Sequence, residues 1–114
     1  MLAVGEHKLG QLEPQSIRMS NPFGGGVGGT RQELCGALAG GLMVIGALYG
    51  RTDAGQDDKQ SYEFAKQFRQ AFLDEFGHTQ CAPIREAFAK PDGSHGCDKA
   101  VAIASQLLLG VLDA

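Results

Sequence analysis

Across the 114 residues of this chain no run of alternating apolar and polar residues is long enough to make a useful strand, and no internal repeat is present; helices are left as the regular structure. A basic surplus is lacking too. The net charge is −3, so neither nucleic acid nor an anionic membrane surface is an expected partner. The longest apolar stretch, Leu34 to Tyr49, falls short of the roughly 20 residues that cross a bilayer, and Gly36, Gly40, Gly41 and Gly46 dilute it. It reads as a buried helix, with no membrane span. The opening MLAVGEHKLG has no basic segment followed by a sustained apolar one, so no export signal is read and the cytoplasm is the expected location. Cys-x-x-Cys pairs are absent, and with them the spacings of zinc ribbons and ferredoxins. Three cysteines, an odd number, argue against a framework of structural disulfides.

The length suits one domain, residues 1–114, able to bury about two thirds of its unfolded surface. Apolar residues at helical spacing run from Leu2 to Leu12 and stop before Pro14, because proline disfavours helix at the residue before it. The glycine-rich stretch from Ser20 to Gly29 runs into Thr30-Arg31-Gln32-Glu33. That tetrapeptide has the form of a capping box, which sets the next helix start at Arg31 and Cys35 early in its second turn. Tyr62, Phe68, Phe72 and Phe76 mark the core stripe of the following helix, Gly77 ends it, and Cys81 stands at the entrance of a short helix carrying Pro83 in its first turn. Ser94 is the expected N-cap of the last helix, with Cys97 in its first turn. The fold expected is all-α: a small bundle of four to five helices with a Gly-rich loop preceding the central helix.

Cys35, Cys81 and Cys97 therefore each fall near a helix start. Unpaired N–H groups and the positive end of the helix dipole favour thiolate there, and Cys97 is the expected low-pKa thiolate. Redox chemistry needs such a thiolate and a second sulfur to resolve the oxidised form. The same three sulfurs, with His95 as a fourth donor, would satisfy a four-coordinate metal, and an iron–sulfur cluster or another thiolate-bound metal suits those donors. His7 and His78 read as surface residues. The glycine run fails as a nucleotide loop, since no strand precedes it and no Gly-Lys-Ser/Thr follows. Gly24, Gly25, Gly26 and Gly36 are instead the backbone positions expected to close over the cysteine site or a group bound there. Several interior glycines in one helix imply close approach at the Gly36/Gly40 face, by packing, by a bound group or by a second copy in a homodimer. The competing reading is a non-enzymatic interaction module whose cysteines are buried and inert. No acid–base constellation beyond the cysteines supports an enzyme with its own substrate, and no motif identifies a redox partner.

Phe23-Gly24-Gly25-Gly26-x-Gly28, Cys35-Gly36-Ala37-Leu38-Ala39-Gly40, Tyr49-Gly50, Phe76-Gly77-x-x-x-Cys81 and Cys97 opening the last helix together resemble a family of small bacterial and archaeal redox-active proteins named for a C_GCAxxG_C_C cysteine pattern. The resemblance implies a helical fold with four cysteines in redox or metal chemistry; similar sequence occurs as a domain beside haem in some cytochromes. Cys35, Cys81 and Cys97 would supply three of the four. The first family cysteine lies upstream of the glycine loop, where this chain has none. The expectation is that the reading frame extends upstream of Met1 to include it; otherwise three sulfurs, a borrowed ligand such as His95, or a second subunit must complete the site.

Overall fold

Helix boundaries in this chain follow its prolines and glycines. The computed structural model describes residues 2–114, and Met1 lies outside them. Helix α1 spans Leu2–Leu9, and Pro14, in the first helical position where its missing N–H is harmless, starts a separate α2 at Pro14–Ser20. A single 3-10 turn, Asn21–Phe23, leads into the glycine loop. Then come α3 (Gly36–Tyr49), α4 (Lys59–Phe76), α5 (Cys81–Ala87) and α6 (Cys97–Leu112). The architecture is the expected all-α bundle, with the short α2 added to it; no strand is present among the described residues.

Helices α3, α4 and α6 pack on one another and carry the core. Phe68 and Phe72 of α4 are fully buried against Leu38 and Ile45 of α3 and Ala104 and Leu108 of α6. The phenylalanines continue as a contact series: Phe68 meets Phe72 edge-on with ring centroids 6.1 Å apart, Phe72 meets Phe76 at 4.5 Å, and Phe76 meets Phe88 at 5.8 Å. Edge and tilted pairs of this kind add to the area each ring buries. Gly77 ends α4 in the left-handed conformation, its N–H bonded to the Leu73 carbonyl, as the sequence suggests.

The start of α3 departs from the sequence reading. Residues 30–35 are not helical, and α3 begins at Gly36 with Cys35 as its N-cap residue. The capping box does not form. The Thr30 hydroxyl donates back to the Gly26 and Val27 carbonyls at 2.7 and 2.9 Å. The cause lies just upstream, where Gly25, Gly26, Val27, Gly28 and Gly29 all have positive φ. This run of left-handed residues curls the chain into a turn, held by Gly28 N–H to Pro22 O, Gly29 N–H to Gly24 O and Arg31 N–H to Gly25 O. A left-handed turn costs about 1–2 kcal/mol for each residue with a Cβ, so it is affordable only where glycines dominate.

Candidate functional site

The left-handed turn delivers residues 31–35 alongside residues 79–82. Leu34 and Gln80 form an isolated antiparallel bridge. The Cys35 N–H donates to the Thr79 carbonyl at 2.8 Å, the Cys81 N–H to the Glu33 carbonyl at 2.9 Å, and the Ala82 N–H to the Arg31 carbonyl at 3.0 Å. Two cysteines 46 positions apart in the sequence are thereby tied into one pair of backbone segments, one at the N-cap of α3 and the other at the first residue of α5. The loop fits tightly there. A Cβ placed on Gly26 would lie 2.6 Å from the Cys81 Cβ and 2.7 Å from the Arg31 Cα, so Gly26 is required by space as well as by its φ of 72°.

Cys97 arrives from α6, of which it is the first residue. The N-cap is Gly96, not Ser94, because a left-handed Gly96 (φ 65°) packs where a Cβ would sit 2.2 Å from the Phe88 carbonyl oxygen. The side-chain cap comes from His95, whose Nδ1 accepts the Cys97 N–H at 2.9 Å. Ser94 is held elsewhere, its N–H and hydroxyl both donating to Asp92 Oδ1 at 2.9 and 2.7 Å, which holds the Asp92 carboxyl below its ordinary range.

Cys35, Cys81, Cys97 and His95 line one cavity of about 510 Å³, together with Gly24, Gly25 and Gly36. Gly26 stands outside that lining, behind Cys81. The Gly24 Cα packs 3.6 Å from the position a Cβ would take on Gly36, so the close approach expected at that helix face is made by the chain's own loop. Further along α3, Gly40 and Ala47 are open to the cavity. Its remaining wall, with Leu9, Leu12 and Ile17 of the first two helices and their linker, and Arg85 one turn after Cys81 on α5, was not marked as part of a site in the sequence. Nothing there was visible locally beyond apolar spacing. His7 and His78 are exposed and outside the cavity.

The sulfurs are unequal. Cys81 is buried, and Cys35 and Cys97 are half-buried. Burial pushes the Cys35 thiol above its ordinary value of 9.0, although the Ala37 and Leu38 N–H groups at the start of α3 pull the other way; negative charge on Cys81 and Cys97 raises it further. The expectation that a helix N-terminus favours thiolate therefore fails at Cys35, where loss of water outweighs the dipole.

A metal is a poorer fit. No three His, Cys, Asp or Glu side chains among the described residues stand close enough to hold a metal ion. His95 is also compromised as a donor. With Nδ1 accepting from Cys97, a neutral ring carries its proton on Nε2, so neither nitrogen is free to ligate without breaking that cap. Among the described residues no helix is long and apolar enough to cross a membrane.

Residues 1–110 match the family model described as "Putative redox-active protein (C_GCAxxG_C_C)", and the chain belongs to that family. Comparison with curated proteins and with solved structures gives no match.

Proposed function

We propose that this member of the redox-active family works by thiol–disulfide exchange, with Cys97 as attacking thiolate, Cys35 as resolving thiol and Cys81 as the buried sulfur beside them. The observation that carries the reading is the convergence of three cysteines from three helices on one cavity. In the first step the Cys97 thiolate attacks a disulfide of a partner, forming a mixed disulfide and releasing one partner sulfur, which takes up a proton. Cys35 then loses its proton and attacks the Cys97 sulfur, closing a Cys35–Cys97 disulfide and releasing the second partner sulfur as a thiol. Two electrons pass to the partner, and the chain is left oxidised. The raised pKa of Cys35 suits the resolving role, because a thiol that stays protonated does not compete with Cys97 for the first attack. A cytoplasmic setting, where thiols are returned to the reduced state, suits a chain whose three cysteines are all free.

The test is exposure of the reduced protein to oxidised glutathione, followed by disulfide mapping. Wild type should yield an intramolecular disulfide, Cys35→Ser should accumulate glutathione on Cys97, and Cys97→Ser should react slowly. Three thiols that resist oxidation and label only on unfolding would replace this reading with that of an inert interaction module. Stoichiometric metal in anaerobically purified protein would replace it with a thiolate-bound metal site.

A further inference from the structure

The cavity that holds the sulfurs is much larger than thiol exchange between side chains requires. Its volume of about 510 Å³ lies within the range of roughly 300–1,000 Å³ typical of small-molecule sites. Much of its lining is apolar, from Leu9, Leu12, Ile17, Met43 and Val44. No aspartate or glutamate lines it, and Arg85 is the one side chain of fixed charge among the lining residues. Arg85 is half-buried and makes no ion pair or hydrogen bond among the described residues, whereas Lys8, Arg51, Lys66 and Lys90 each have a carboxylate and the other basic residues, Arg18, Arg31, Lys59, Arg69 and Lys99, are exposed. A cation on the wall of an apolar chamber with no carboxylate in its lining selects an anion carried on an apolar body.

The cover of the chamber points the same way. Helix α2 buries none of its own residues, although Ile17 lines the cavity and stays 39% exposed. Leu9 and Phe23, also lining it, are 38% and 42% exposed. Large apolar side chains around a hollow remain wetted until something apolar fills it.

We infer that the cavity is a binding site for a small amphiphile, an aliphatic body bearing a carboxylate-like head, with the head on Arg85 beside the thiols and the body against α1, α2 and the Gly40/Met43/Ala47 stripe of α3. The inference shares its cavity with the thiol chemistry but does not need the thiols to react.

The experiment is calorimetric titration of the fully reduced protein, with chelator present, by dodecanoate and by dodecanol below their aggregation limits. Dodecanoate should bind saturably at one site. Arg85→Gln should weaken dodecanoate at least tenfold and leave dodecanol within about twofold. Ala47→Phe, placed at an exposed position on the cavity wall, should weaken both, and bound dodecanoate should slow alkylation of Cys97. No saturable binding to the wild type, or equal binding by wild type and Arg85→Gln, overturns the inference; so does Ala47→Phe that binds both ligands unchanged while its circular dichroism and melting match wild type. Glutathione oxidation run in parallel separates the two claims. Disulfide formation without dodecanoate binding removes the ligand site alone, and dodecanoate binding with unreactive thiols removes the thiol exchange alone.

Discussion

The two sides of α3 are built from residues of opposite size. Leu38, Leu42, Ile45 and Tyr49 share one side and meet the phenylalanines of α4: Leu38 and Ile45 are each 1% exposed, and Tyr49 stacks on Phe64 with ring centroids 4.6 Å apart. Gly36, Gly40, Met43 and Ala47 share the other and face the sulfur-lined cavity. Both stripes repeat at helical spacing. The filled side gains stability from area removed from water and from close contact. The open side gives up that contact, and the glycines let a loop backbone and a chamber come where side chains would stand. Stability and chemistry are thus divided between opposite faces of one helix.

The largest expected effect falls on the filled side. Phe72→Ala, removing a ring that is 0% exposed, should lower unfolding free energy by about 3–5 kcal/mol, read from urea titration. If it costs no more than a surface change, the division is wrong. Gly26→Ala strikes the opposite side through the loop. A Cβ 2.6 Å from that of Cys81, at a φ of 72°, should cost about 1–3 kcal/mol and speed the labelling of Cys81 in the native state. Unchanged labelling together with unchanged stability would mean that the loop does not seal the sulfur. Met43→Ala should cost only about 1 kcal/mol, well below the usual range for a packed methionine, because its side chain borders a space that is already hollow. A loss equal to that of Phe72→Ala would show the cavity to be filled in solution.

A gain is expected at Val27. It is the one β-branched residue in the left-handed turn, with φ 68° and 42% exposed, so Val27→Gly should relieve strain and raise stability by about 0.5–1 kcal/mol after the added freedom of the unfolded glycine is counted. A lower urea midpoint would show that its side chain packs usefully. The smallest effect is on pH. The folded pKa of Cys35 lies above its unfolded value, so the folded state holds this proton more firmly; its contribution is fully present below the unfolded pKa and is lost as pH rises through the folded one. The urea midpoint should therefore fall as pH climbs past about 9, and Cys35→Ala should reduce that fall. An identical pH dependence in the variant would place the titrating group elsewhere.

Much of this division was legible in the sequence. Phe68, Phe72 and Phe76 keep helical period because one stripe of α4 is buried and the rest solvated, whereas Tyr62, read into the same stripe, lies in the first turn and is 68% exposed. Gly77 is legible because its positive φ is a local requirement, and Cys81 falls at the entrance of α5 as its flanking residues suggest. The two misplaced helix starts share a cause. At Thr30 the hydroxyl turns back into the left-handed turn, and the Glu33 N–H that would cap onto it donates to the Gly26 carbonyl instead. At Ser94 a neighbouring aspartate captures the hydroxyl, and His95 does the capping. In both, a group that local rules assign to a cap has a stronger partner that spacing does not reveal.

The sequence by itself determined every helix but α2, and the presence of sulfur near three of their starts, because side-chain period, proline and glycine act over a few residues. Tertiary structure alone decided that those cysteines line one cavity. Cys35 and Cys81 are joined by backbone hydrogen bonds between segments distant in the chain, and Cys97 reaches the same cavity because α6 packs against α3. It also decided the ionisation of Cys35. Helix position favours the thiolate, burial opposes it, and the depth of burial exists only once the helices have packed.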